Sequence, residues 1–247
     1  MRWVPVWVLL LVLGACSDDG PAPREVVVFA AASLTDVMED AAEDFKRAYP
    51  DQQLILSVGG TSLLARQIAQ GAPADVFLSA NRAWVDHLAS LGRTEGPPYT
   101  IAGNRLVIAG GPDQPPLVGL DRIGRFKSIA LADPDHVPAG IYAKEALECA
   151  GLWESVAPRI IPMLDVRTAL LATVTGAAEV AIVYASDIKA APRARVVLEW
   201  PQSCAPEIQY VAARIRGGSN PAGASAFLDF VTDTSRASLW ERHGLYR

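Results

Sequence analysis

From Val26 onward, short apolar runs alternate with stretches whose apolar residues recur at helical spacing. Val26–Ala30 is rich in β-branched residues and reads as a buried strand. Leu34, Val37, Met38, Ala41 and Phe45 then fall on one face of a helix. Gln53–Val58 predicts a strand, and Ser62–Gly71 a helix that closes on glycine. Asp75–Ser79 predicts a short strand, Ala83, Trp84, His87, Leu88 and Leu91 a helix, and Arg105–Ala109 a further strand. The Gly- and Pro-rich segment Gly110–Gly119 interrupts the pattern as a loop. Beyond it, Ser128–Asp133 reads as a strand, Ile141–Ala150 as a helix, and Arg159–Leu164 as an apolar run before a helix that begins after Asp165. Glu179–Tyr184, Arg195–Trp200 and Ile208–Arg214 predict strands, and helices near Ala222–Phe230 and Ser235–His243 finish the chain.

This alternation predicts an α/β fold with mainly parallel sheets flanked by helices. The break at Gly110, together with a strand at Ile208 followed only by helices, divides the pattern into two lobes. Residues 25–105 and 208–247 would form the first, and residues 106–207 the second. Sheets of this kind bind ligands beyond the carboxyl ends of their strands, so a site is expected between the lobes.

Residues 1–15 stand outside the pattern. One Arg, an apolar run and a small-residue ending before Cys16 have the form of an export signal. The run is shorter than the roughly 20 apolar residues a membrane span needs. The Leu13-Gly14-Ala15-Cys16 ending resembles a bacterial lipoprotein box, which implies that Cys16 is acylated as the first mature residue; an ordinary cleaved signal is the plainer alternative. Residues 16–24 then read as a polar tether. An exported chain meets an oxidising compartment, so a disulfide between Cys149 and Cys204 and a pair of buried free thiols are both open.

The whole chain is 51% hydrophobic and 20% charged, with a formal net charge of −5. That composition excludes a disordered chain, and the lack of a basic stripe sets nucleic acid aside. The chain holds only His87, His136 and His243, at no paired spacing, so no direct metal-cation site is expected. Neither a nucleophile elbow, a Walker loop nor a dinucleotide fingerprint occurs. A hydrolase using Ser33 or Ser62 is therefore the least favoured function, and no cofactor is expected.

Four helix starts share one design. Ser33 precedes the first helix, with Asp36 placed for a capping box. Gly59-Gly60 lets the backbone approach closely before Thr61 and Ser62. Pro138-Ala139-Gly140 opens a helix without bulk, and Asp165 is placed as the N-cap of a helix that starts at Val166. Helix starts carry unpaired N–H groups and a partial positive charge, which suits an anion. Each taken singly is better explained by ordinary capping; it is the four together, with Tyr184 at a strand end, that suggest a ligand. Arg66 and Arg167 read first as solvated or inter-lobe side chains, and Asp75, Asp133 and Asp187 as residues that fix loops.

The segments VFAAASLTDVM, LLARQIAQGAPADVFLSAN, DPDHVPAGIYAKEAL, DVRTAL and AIVYASD, in this order, resemble the periplasmic molybdate-binding proteins of molybdate ABC transporters. The resemblance covers nearly the whole chain after the tether. It implies a two-lobed periplasmic-binding-protein fold of type II, a monomer that closes on molybdate or tungstate and passes it to a membrane permease. It also implies a ligand set: the hydroxyl and amide of Ser33, a hydroxyl from Thr61 or Ser62, the amides of Ala139 and Val166, and the phenol of Tyr184. Thr61 departs from the family's serine by one methyl group. That departure keeps a second reading open, in which the ligand is another tetrahedral oxyanion or a small organic anion.

Overall fold

The computed structural model describes residues 24–247. The signal at residues 1–15, Cys16 and most of the tether lie outside the described residues. The tether ends earlier than expected. Arg24 already pairs with Gln52 in the first strand, so strand pairing includes the last residue of that segment.

Elements follow in the order β1 (Arg24–Ala31), α1 (Thr35–Ala48), β2 (Gln52–Gly59), α2 (Thr61–Ala69), β3 (Val76–Ser79), α3 (Arg82–Ser90), β4 (Thr94–Asn104) and β5 (Leu106–Gly110). Then come β6 (Ile129–Ala132), α4 (Pro138–Cys149), α5 (Trp153–Val156), β7 (Ile160–Met163), α6 (Val166–Val174), β8 (Val180–Tyr184), α7 (Ala185–Lys189), β9 (Arg195–Glu199), β10 (Ile208–Ile215), α8 (Pro221–Thr232) and α9 (Ala237–Arg242). Two five-stranded sheets result, ordered β2-β1-β3-β10-β4 and β7-β6-β8-β5-β9. The chain crosses from the first sheet to the second at Arg105, and returns between Glu199 and Ile208.

The α/β architecture is as expected, but each sheet is evenly mixed rather than mainly parallel. In the first, β1 pairs in parallel with β2 and β3, while β10 runs antiparallel to both β3 and β4. In the second, β6 is parallel to β7 and β8, while β5 is antiparallel to β8 and β9. The antiparallel pairs are those made by the strands that carry the chain between sheets. β4 itself was not legible from the sequence, because Gly96, Pro97 and Pro98 break its apolar pattern. Those residues are tolerated because β4 is an edge strand and pairs with β10 through two register shifts.

The periodicity that predicted the helices is the one that is buried. On α1, Val37, Met38, Ala41 and Phe45 face inward. Phe45 is fully buried and meets the edges of Phe227 and Phe230 at ring-centre distances of 5.4 and 5.3 Å. Truncating such a side chain to Ala costs about 3–5 kcal/mol. β1 is buried along nearly its whole length after Glu25, which is what a β-branched run inside a two-sided sheet should be. Cys149 and Cys204 form a disulfide with Cα atoms 5.6 Å apart, which resolves the thiol question in favour of the bond. It ties α4 to the segment that returns the chain to the first sheet.

Candidate functional site

The carboxyl end of β1, the start of α2 and the starts of α4 and α6 converge on one small cavity. It is lined by Ala31–Ser33, Gly60, Thr61 and Ala80 from the first lobe. Val137–Ala139, Asp165, Val166 and Tyr184 close it from the second. About 10 Å³ is open to the centre of a water-sized molecule. Grown by a water radius, that is a sphere of about 2.7 Å radius, space for one compact polyatomic ion without an organic substituent.

Of the residues singled out in the sequence, Ser33, Thr61, Ala139, Val166 and Tyr184 all line this cavity. Ser62 is buried but does not, so Thr61 is the hydroxyl residue of that turn facing the space. Thr61, Ala139 and Val166 lie in the first turns of α2, α4 and α6, where an amide has no carbonyl of its own helix to bond.

Local sequence explains each placement. Asp165 is the N-cap of α6: its carboxylate accepts from the Thr168 amide at 2.8 Å, and the Thr168 hydroxyl accepts in turn from the Asp165 amide at 3.1 Å. The carboxylate is thus turned onto its own helix. Gly140 has to be glycine, since a Cβ there would sit 1.9 Å from the Ala132 carbonyl oxygen. The missing side chain lets α4 begin directly against the end of β6. Gly60 serves closure in the same way. A Cβ on it would lie 2.7 Å from the Leu164 oxygen on the opposite lobe.

The expected capping box at Ser33 is not formed. Residues Ala32–Leu34 make a 3-10 turn, Leu34 caps α1, and no side chain caps it. Tertiary partners have taken both groups. The Ser33 Oγ accepts from the Tyr210 phenol at 2.7 Å, and Asp36 pairs with Arg167 of the other lobe at 2.6 Å. Thr61 has the same arrangement as Ser33, its Oγ1 accepting from the Ala80 amide at 3.2 Å. Each hydroxyl therefore has an acceptor position filled from behind and a proton left for the cavity.

Tyr184 is 1% exposed, and its hydroxyl has no hydrogen-bond partner among the described residues. Burial pushes this phenol well above its ordinary range, so it stays protonated and can only donate to an anion at physiological pH. An unpartnered buried hydroxyl is costly, about 1–3 kcal/mol, and marks a place where a partner belongs.

Among the described residues no Lys or Arg lines the cavity. Arg167 sits behind it, with Nε on Asp187 Oδ1 at 2.6 Å and a terminal nitrogen reaching Asp36 and, at 3.5 Å, the Ser33 carbonyl. Burial opposes its charge, but the two carboxylates outweigh burial and raise its pKa. Burial pushes the fully buried Asp187 up to about 6 even beside this arginine. Arg167 is thus an inter-lobe tie. Arg66 is exposed, with its guanidinium 5.9 Å from the centre of the Trp84 ring. A second tie runs from the Trp84 indole to the His136 carbonyl at 3.0 Å. Asp75 fixes loops through the amides of Val27 and Asn220, and the imidazole of the half-buried His136 lies 3.3 Å from the Asp133 carboxylate. Among the described residues no group of three or more His, Cys, Asp and Glu could hold a metal ion, and no helix is long and apolar enough to cross a membrane.

Two residues of this region escaped the sequence reading, Tyr210 and Asn104. Tyr210 reads as one apolar position in a buried strand, and nothing near it in sequence points to a partner 177 residues away.

Known proteins share this organisation. The chain is 36% identical to the molybdate-binding protein ModA of Escherichia coli (strain K12), over 93% of this chain and 90% of that one. It is 33% identical to the ModA of Haemophilus influenzae, over 90% of each. The fold superposes on the periplasmic molybdate-binding protein of Azotobacter vinelandii with a TM-score of 0.80 at 22% identity, over 90% of this chain and 99% of that one. The family described as bacterial extracellular solute-binding proteins matches residues 26–246. With that match across almost all of the described residues, and a cleft between two mixed α/β lobes, the chain belongs to the bacterial extracellular solute-binding protein family.

Proposed function

We propose that this chain is the solute-binding component of a molybdate ABC importer, taking up molybdate, and tungstate by the same contacts, between its lobes. The observation that carries the reading is the Tyr184 hydroxyl. It is buried and has no partner among the described residues, and Tyr184 borders an ion-sized cavity lined by hydroxyls, the amides of helix starts and Asp165, whose carboxylate accepts from its own helix. A tetrahedral dianion only accepts hydrogen bonds, and Ser33, Thr61, Ala139, Val166 and Tyr184 offer only donors to it. Each bond to a charged partner contributes about 1.5–3 kcal/mol, so together they offset much of the ion's dehydration without a cation. The small volume favours a compact four-oxygen anion over an organic acid. The relatives named as molybdate-binding support the same choice.

In this reading the protein catalyses nothing and holds no resident cofactor. It works outside the cytoplasmic membrane as a monomer, with an acylated Cys16 as its anchor, and delivers the ion to a permease. The lobe division at residues 106 and 207 belongs to the same proposal, as the hinge about which the cleft opens. Titration calorimetry with molybdate, tungstate, sulfate and phosphate tests it. The expected result is one-to-one binding of molybdate and tungstate, well above either competitor. Binding of phosphate or sulfate with no heat from molybdate would refute the ligand assignment.

A further inference from the structure

Asn104 ends β4 where the chain crosses between sheets, and its side chain is held in one orientation. Its Oδ1 accepts from the Arg105 amide at 2.9 Å, so the Nδ2 must face the other way. That nitrogen donates to the Ser186 hydroxyl at 2.8 Å and to the Tyr210 oxygen at 3.1 Å. With an acceptor position of the phenol taken by Asn104, the Tyr210 proton is directed to Ser33 Oγ, 2.7 Å away. Ser33, accepting from the phenol, is left with its own proton for the cavity it lines. Asn104, Tyr210, Ser33 and Ser186 are all at least 96% buried, so water does not compete for these positions.

We propose that Tyr210, oriented by Asn104, is a positioning residue that points the Ser33 hydroxyl at the bound anion. The proposal rests on the oxyanion reading of the cavity. The sequence of bonds has one direction, from the Asn104 amide through the phenol and the serine to the ligand. A free serine hydroxyl could also turn a lone pair toward the cavity, which would repel an anion. Directing it removes that alternative before the ligand arrives, and each donor in the series strengthens the next. Burial raises the Tyr210 pKa, so the phenol keeps its proton and its role through the physiological range. Thr61 receives the equivalent bond from the Ala80 backbone amide; Tyr210 does for Ser33 with a side chain what the backbone does for Thr61. Because Asn104 also holds Ser186, two residues after Tyr184, the network spans both lobes at their crossing point.

A double-mutant cycle read by molybdate calorimetry decides the matter. Tyr210→Phe keeps the ring and removes only the hydroxyl, and should weaken binding by about tenfold. Ser33→Ala should weaken it at least as much. In the Ser33→Ala background, Tyr210→Phe should change affinity by less than about twofold, because the group it orients is gone. Unchanged affinity in Tyr210→Phe, or equal losses in both backgrounds, would overturn the proposal, the second outcome marking a merely structural role. Should Tyr210→Phe fail to fold, Asn104→Asp replaces it in the cycle. The introduced carboxylate would accept a hydrogen bond from the phenol, reverse the series and turn the serine proton toward the phenol oxygen and away from the ligand. Its loss in affinity must then shrink in the Ser33→Ala background, and a loss of the same size there overturns the proposal. Wild-type protein that gives no heat with molybdate would instead sink the oxyanion reading itself.

Discussion

Replacing Tyr184 by Phe removes a hydroxyl that the protein leaves without a partner, and this gives two effects of opposite sign. In the unliganded protein no observed bond is lost, since the oxygen bonds no group among the described residues. Relief of an unsatisfied buried donor, worth up to about 1–3 kcal/mol, leaves the melting temperature unchanged or raises it. In the complex, the same change removes one hydrogen bond to a dianion, about 1.5–3 kcal/mol, or about ten- to a hundredfold in Kd. Differential scanning calorimetry shows both. At a hundred times Kd, molybdate should stabilise the wild type by about 2.7 kcal/mol, a rise of about 5–10 °C for a chain of this length. At the same free concentration, a variant with thirtyfold weaker binding keeps about 0.9 kcal/mol, a rise of about 2–3 °C. A ligand-induced shift equal to the wild type's would remove Tyr184 from the site. A large fall in the unliganded melting temperature would show that the hydroxyl already has a partner and that the reasoning is wrong.

Three further outcomes test the surrounding structure. Gly60→Ala should leave unliganded stability intact, because Gly60 has a φ of −58° that alanine adopts freely. It should weaken molybdate binding by calorimetry, because the added carbon would lie 2.7 Å from the Leu164 oxygen across the cleft and so oppose the closure proposed above. Reducing the Cys149–Cys204 bond opens a link across 55 residues and should destabilise the fold by about 4 kcal/mol in the chain-entropy treatment, measured by denaturation with and without reductant. Asp187 is held up to about 6 in the folded state, above the value of an unfolded carboxyl. The folded protein therefore binds the extra proton between about pH 4 and 6, and this group's contribution is fully present below that window and lost as pH rises through it. Asp187→Asn should remove that component from urea unfolding measured across the same range; an unchanged profile would place the titration elsewhere.

What the sequence made legible was local. The start of α4 at Pro138, the Asp165 cap and the first turn of α6 at Val166 could be read directly, because a cap or an N1 proline acts within four residues of itself. Tyr184 was placed at a strand end by the run before it. Ser33 was read correctly as a small polar residue at a helix entrance and wrongly as its cap. The rival partners, Tyr210 for Ser33 and Arg167 for Asp36, lie 177 and 131 residues away and win by burial. The same limit hid β4, whose prolines fit because it is an edge strand, and the antiparallel half of each sheet, which depends on which strand the returning chain meets. Spacing could also not choose between Thr61 and Ser62. That choice depends on the rotation of α2 about its axis, which is set by packing.

The most direct test of the central claim is the anomalous diffraction signal of tungsten in crystals grown with tungstate. The account predicts a single strong peak in the cavity bounded by Ser33, Thr61, Ala139, Val166 and Tyr184, with the oxygens around it within hydrogen-bond distance of those hydroxyls and amides. A peak in the neighbouring cavity lined by Arg167, Lys189 and Arg242 would contradict it, since the ion would then be held by cations rather than by neutral donors.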